Sequence, residues 1–199
     1  MRIPGLAVML VAMAVTLAAQ QPAPKQKAAG QAPTVAVDPA ARQELHDIAV
    51  KFAEASDVRQ RVEQNLDKMI DQGKQAMLRP DSPFDPKFVD EWARRVREKV
   101  NLDDFVEITA SVYATYFTKK ELTELTQSQW ALRQSNIATL SPELNQKLKA
   151  NSARIQRDIN AASSRLGSSL SNEIGHELEK EHPEWVKPTT QPAPAPAKS

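Results

Sequence analysis

Tyr113-Ala-Thr-Tyr-Phe-Thr-Lys-Lys-Glu-Leu-Thr-Glu-Leu125 decides the reading of the fold. Two Tyr and one Phe close one apolar segment, and Thr118 opens the next with Glu121 three residues on. Thr-x-x-Glu is a capping box, in which the hydroxyl accepts the N3 amide and the carboxylate reaches back to the cap's own amide. Phe117 before the cap and Leu122 at the fourth helical position fit a hydrophobic staple across the same turn. The stretch therefore reads as a helix–helix corner, with Tyr113, Tyr116 and Phe117 as core residues.

Upstream of the corner, the pattern is helical throughout. Asn101 caps a segment with Asp103 and Asp104 in its first turn, where the helix dipole favours negative charge. Leu102, Phe105, Ile108, Val112, Tyr113 and Tyr116 line its apolar face. Asp85-Pro86 starts another helix, with Phe88, Val89, Trp92, Val96 and Val100 inward. Its run Arg94, Arg95, Arg97 and Lys99, interleaved with Glu91 and Glu98, reads as a solvated outer face. Three Pro in Arg79–Pro86 forbid a helix there. A helix over Val58–Met77 presents Val58, Val62, Leu66, Met69, Ile70, Gly73 and Met77, with Gly73 a place for close helix approach. The first helix begins at Asp38-Pro39 and carries Leu45, Ile48, Ala49, Phe52 and Ala55; Ser56-Asp57 breaks it and caps the next.

Downstream, Leu122, Leu125, Trp130, Leu132 and Ile137 follow with imperfect periodicity. No Pro or Gly occurs from Thr118 to Ser141, which predicts an uninterrupted fifth helix. Ser141-Pro142-Glu143 restarts the pattern. Leu144, Leu148, Ile155, Ile159, Ala162, Leu166, Leu170, Ile174 and Leu178 then recur mostly at four-residue steps toward Glu181, until His182-Pro183 ends them. A straight helix of that length spans about 60 Å, beyond the roughly 30 Å of a small core. Ser163-Ser164 and Gly167-Ser168-Ser169 are weak helix formers that mark a candidate bend. A stripe stepping by four drifts around the helix. Its second half, Leu166, Leu170, Ile174 and Leu178, is expected to meet a protein partner or a second copy of the chain.

These elements predict an all-α, single-domain bundle of five to six helices over residues 38–186, with a long C-terminal helix. Composition agrees: of 199 residues 41% are hydrophobic, and only 5 are Gly. The 14 Pro concentrate in the termini and in the Arg79–Pro86 loop. Residues 1–19 read as a secretory signal peptide, with Arg2, the apolar run Leu6–Leu17 and the small residues Ala18-Ala19. Residues 20–37 read as a disordered linker, and residues 187–199 as a disordered Pro/Ala-rich tail. The apolar run is short for a span, so no stable membrane span is expected after signal cleavage. The chain has no Cys, so the core must stabilise the fold without disulfides. It carries 26 Lys+Arg against 25 Asp+Glu, interspersed, which argues against a nucleic-acid partner.

Chemistry-bearing motifs are sparse. The His residues are His46, His176 and His182. Glu173-Ile-Gly-His176 has the Glu-x-x-His spacing of bundle di-metal sites, but such sites need a second copy of the motif and two further Glu, and the residues before His46 do not supply it. His176 and His182 read as exposed residues at a helix end. There is no Cys nucleophile, no G-x-S-x-G and no Gly-rich phosphate loop. No catalytic, cofactor-binding or metal-binding residue is assigned, no cofactor is expected, and the expectation is a non-enzyme.

The corner Tyr113-Ala-Thr-Tyr-Phe-Thr-Lys-Lys-Glu-Leu resembles the "Y-a-x-x-F-T-x-x-E-L" pattern of the exported bacterial family named domain of unknown function 2059 (DUF2059). Aligned without gaps, that family's later P-e-l falls on Pro142-Glu143-Leu144, while its intervening F-Y, S-P, Gly and Lys have no counterpart in Ser128–Asn136. The motif match covers about residues 113–144. The resemblance implies a small exported α-helical domain with no established activity.

The expectation is thus an exported protein, periplasmic or secreted, acting as a non-catalytic binding or assembly module of the bacterial cell envelope. Two alternatives stay open: an envelope enzyme whose site one sequence does not reveal, and a periplasmic chaperone-like client binder. A large exposed apolar patch favours binding; a deep pocket with convergent polar groups favours the enzyme.

Overall fold

The structure, a computed structural model, describes residues 38–137 and 139–187. The expected signal peptide, the linker and most of the Pro/Ala-rich tail lie outside the described residues. Six α-helices make up the described chain: α1 (Pro39–Ala55), α2 (Val58–Met77), α3 (Pro86–Lys99), α4 (Leu102–Tyr116), α5 (Lys119–Arg133) and α6 (Pro142–Glu181), followed by a short 3-10 helix, Pro183–Trp185. The protein is all-α, as its periodicity predicts. The helices start where the caps lie: Asp38 accepts Ala40 N–H at 3.0 Å, Asp85 accepts Lys87 N–H at 2.8 Å and Asn101 accepts Asp103 N–H at 3.1 Å. The capping box is complete, with Thr118 N–H donating to Glu121 Oε2 at 2.8 Å and Glu121 N–H to Thr118 Oγ1 at 3.4 Å.

The described helical region divides into two compact units, one joining residues 38–63 to residues 101–165 and the other joining residues 64–100 to residues 166–187. In the first unit α1 packs on α4 and α5. Its core gathers Ala49, Phe52 and Ala53 of α1, Val106 and Ala110 of α4, Phe117 of the corner, Leu122 and Leu125 of α5, and Leu144, Ile155 and Ile159 of α6. Phe117 and Leu122 are 3% and 0% exposed, so both ends of the staple are in the core. The α4 face is turned from its expected centre: Phe105, Val106, Thr109 and Ala110 are buried, while Leu102, Ile108 and Val112 are half-buried. Small Ala110 lets α4 sit close, and the Thr109 hydroxyl is satisfied by Phe105 O at 2.8 Å.

The second unit is built around Trp92 of α3. Its core comprises Ile70, Phe88, Val89, Trp92, Ala93, Ile174 and Leu178. The Trp92 ring lies over Gly73 of α2, and its Nε1–H donates to Ser171 Oγ of α6 at 3.2 Å. One side chain thus joins segments of three helices. The close approach expected at Gly73 is real: a Cβ there would meet the Trp92 ring at 2.5 Å.

Four expectations are corrected. Of the α6 stripe read as a partner surface, Ile174 and Leu178 are internal, 0% exposed, and Leu170 packs against the same core, while Leu166 is half-buried. The apolar stripes of α2 and α3 needed a third helix, and this half of α6 supplies it. The basic run of α3 is not merely solvated, because Arg95, Arg97 and Lys99 are paired to other helices. The fifth helix ends at Arg133 rather than running toward Ser141. The tail does not begin at Lys187: Lys187 N–H donates to Pro83 O at 2.8 Å and Asp85 N–H to Trp185 O at 2.8 Å, flanking an antiparallel bridge between Phe84 and Val186. Trp185 and Val186 pack on the second core, which explains why the chain stays ordered past Pro183. Helix α6 runs without interruption through Ser163–Ser169, where the sequence marks a candidate bend.

Candidate functional site

Among the described residues the exposed large apolar side chains are Leu78, 46% exposed, and a group at and just beyond the end of α5. Trp130 and Leu132 are each 46% exposed, and Ile137 is 93% exposed. Nothing in α5 itself stops the helix by composition, since Gly and Pro are absent. Ser135 does it by adopting a left-handed conformation, φ 57°. Asn136 N–H then donates to Ala131 O at 2.9 Å and Ser135 N–H to Leu132 O at 3.1 Å. These are the two bonds of a Schellman motif, with Ser in the place usually taken by Gly.

Arg133 fixes this end to the α1–α2 turn. Its Nε donates to Asp57 Oδ2 at 3.1 Å, its Nη2 to Asp57 Oδ1, and the same Nη2 to Glu54 O at 2.9 Å. Asp57 is itself left-handed, φ 55°, and Glu54 O belongs to the last turn of α1. The guanidinium also lies 4.6 Å from the Trp130 ring centroid. Arg133 therefore satisfies a helix-end carbonyl, neutralises a turn carboxylate and braces Trp130. Asp57, expected to cap α2, turns its carboxylate to Arg133 instead; its carbonyl accepts Arg61 N–H at 3.0 Å. From Thr126 to Ser141 the sequence holds one charged residue, Arg133, and that charge is matched by Asp57.

The other candidates are tied into the fold. Glu173 pairs with Lys99 at 3.2 Å, while the His176 side chain is 74% exposed with Nδ1 3.6 Å from Glu179. Among the described residues no group of three or more His, Cys, Asp or Glu could hold a metal ion. His46 lies 2.9 Å from Glu107. His182, read as exposed, stacks on Trp185 with ring centroids 3.7 Å apart. The carboxylates at the start of α4 do more than serve the dipole, since Asp103 pairs with Arg59. A shallow hollow on α5 is lined by Lys119, Lys120, Thr123, Glu124 and Gln127. Its polar groups are committed in part, Lys119 to Glu44 and Glu124 to Ser141 N–H.

The α3 bases form an ion-pair ladder in the second unit. Arg95 meets Glu91 at 2.9 Å and Glu181 at 2.5 Å, Lys99 meets Glu177 at 2.8 Å, and Arg97 meets Asp67 at 2.5 Å. Hydrogen bonds from Arg94 and then Arg95 hold the Glu91 carboxyl well below the usual range, at about 2. The Arg95 bond likewise lowers Glu181, and Glu177 raises Lys99. In the first unit burial opposes the charge on Glu121, but bonds from Lys147 and Thr118 outweigh it and keep its pKa low. Tyr116 Oη donates to Asp158 at 2.6 Å, which raises the Tyr116 pKa. The Glu91 shift follows from pairing within α3, that of Glu121 from the corner cap together with Lys147 of α6, and the others from pairing between helices.

Comparison of the chain with family models, curated proteins and solved structures gives no match. Among the described residues no helix is long and apolar enough to cross a membrane.

Proposed function

We propose that this chain is an exported, non-catalytic helical module of the bacterial cell envelope that works by binding or assembly. The observation that carries the reading is the uncovered apolar end of α5, with Trp130, Leu132 and Ile137 presented by a braced, nearly charge-free segment. An Ile exposed to 93% gains nothing for the fold, whereas a partner that buries it gains the hydrophobic free energy of the side chain, about 1.5–3 kcal/mol. The partner is a protein, or a second copy of the chain, meeting this segment rather than the stripe on α6. Export rests on Arg2 and the apolar run Leu6–Leu17, and the corner motif's resemblance to DUF2059 is consistent with it.

The test is site-specific photo-crosslinking in cells. A crosslinker at position 137 is expected to capture a discrete adduct, and one at exposed Lys68 to give none. Equal labelling from both positions, or none from 137, removes the proposal. Recovery of the full chain with Met1 from the cytosol removes export.

A further inference from the structure

On the outward face of the first half of α6 lies an arc of four bases that make no ion pair among the described residues. From Pro142 to Arg165 the sequence carries Lys147, Lys149, Arg154, Arg157 and Arg165 against two acids, Glu143 and Asp158. Lys147 is taken by Glu121 at 2.8 Å, and Asp158 accepts the Tyr116 hydroxyl. Lys149, Arg154, Arg157 and Arg165 are exposed. At about 100° per residue these four bases fall within an arc of about 160°. The centre of that arc lies opposite the buried Leu144, Ile155 and Ile159. Ala150, Ala153, Ala161 and Ser164 share the arc with Gln146, Asn160 and the exposed acid Glu143. The contrast with α3 is physical: there Arg94, Arg95, Arg97 and Lys99 each meet a carboxylate.

We infer that this arc is a docking face for an anionic phospholipid surface. Four unpaired bases on the polar side of the helix outnumber the two acids beside them, and each adds attraction to such a surface that falls off within a Debye length. The apolar side of α6 is occupied by the core, so it has no free stripe to insert. Attachment is therefore electrostatic, peripheral and reversed by salt. This face is distinct from the apolar end of α5, and neither proposal needs the other.

The test uses the full chain without its signal residues, mixed with vesicles of pure phosphatidylcholine or of phosphatidylcholine with phosphatidylglycerol. Co-sedimentation is expected with the anionic vesicles at low salt and is expected to vanish at high salt. Arg154→Gln with Arg157→Gln is expected to weaken binding by about thirtyfold, at roughly fivefold per base. Lys68→Gln, on α2, is expected to leave it unchanged, and circular dichroism checks that each variant is folded. The inference is overturned by absence of binding at low salt, by equal binding to neutral vesicles, or by equal loss in the Lys68 variant. Binding to soluble polyphosphate but not to vesicles overturns the lipid assignment as well.

Discussion

The Trp92 ring occupies the space that a Cβ at Gly73 would take, with Cη2 2.5 Å from that position. In an exposed helix Gly→Ala gains close to 1 kcal/mol from propensity. Here the added methyl meets a rigid, buried indole that also donates to Ser171. Gly73→Ala is therefore expected to destabilise by about 1–3 kcal/mol. Urea unfolding followed by Trp fluorescence measures it, and a stabilised variant would show that the ring is free to move.

Arg133 and Asp57 form the second relationship open to dissection. Arg133→Ala leaves Glu54 O without its side-chain donor and a carboxylate without its charge partner. The expected cost is about 1–2 kcal/mol. Asp57→Asn keeps a residue that tolerates the left-handed conformation while removing the charge. A double-mutant cycle on these two positions should give a coupling of about 1 kcal/mol. A coupling near zero would reduce the pair to an ornament of the surface.

The capping box makes a narrower prediction. Thr118→Ala removes the acceptor for Glu121 N–H and should cost about 1 kcal/mol, while Thr118→Ser should be nearly neutral. Thermal unfolding by circular dichroism separates the two. Equal losses would point to packing of the Thr methyl instead.

Acid should weaken the ladder. A carboxylate whose folded pKa is depressed contributes stability that is complete above its unfolded value and fades as pH falls through the folded one. For Glu91 that window runs from the ordinary value of 4.5 down to about 2. Glu181 and Glu121 are shifted in the same direction. The expected outcome is a Tm that is flat above pH 5 and falls by about 5 °C or more between pH 4.5 and 2.5. A Glu91→Gln variant should show a shallower fall, and an identical slope would reject the role of Glu91.

Much of the helical architecture is legible because its signals are local. Asp-Pro starts, Thr118 with Glu121, and the stripes of α1 to α4 each need only a few neighbouring residues. What fails to show is what depends on partners far along the chain. Periodicity marks Ile174 and Leu178 as apolar but is silent on whether the covering surface belongs to the same chain. The unmatched stripes of α2 and α3 were the available clue. Arg95 and Lys99 look solvated until α6 brings Glu181 and Glu177 beside them. The end of α5 is hidden because Ser135 takes a conformation that usually announces itself with Gly. Trp185-Val186, two apolar residues just after a Pro, were the one signal that the chain stays bound past His182. The exposed Ile137 was legible as apolar, and only the structure shows that it is uncovered.

The antiparallel bridge of Phe84 with Val186, closed by Lys187 on Pro83, sets an order of assembly. The core around Trp92 draws on residues 64–100 and on residues from 166 onward. A chain that is synthesised or threaded through a pore from its N-terminus therefore presents Phe88, Val89 and Trp92 well before Ile174, Leu178 and Val186 arrive. Until then those side chains lack their cover, and the second unit is completed only when residues 166–186 have emerged.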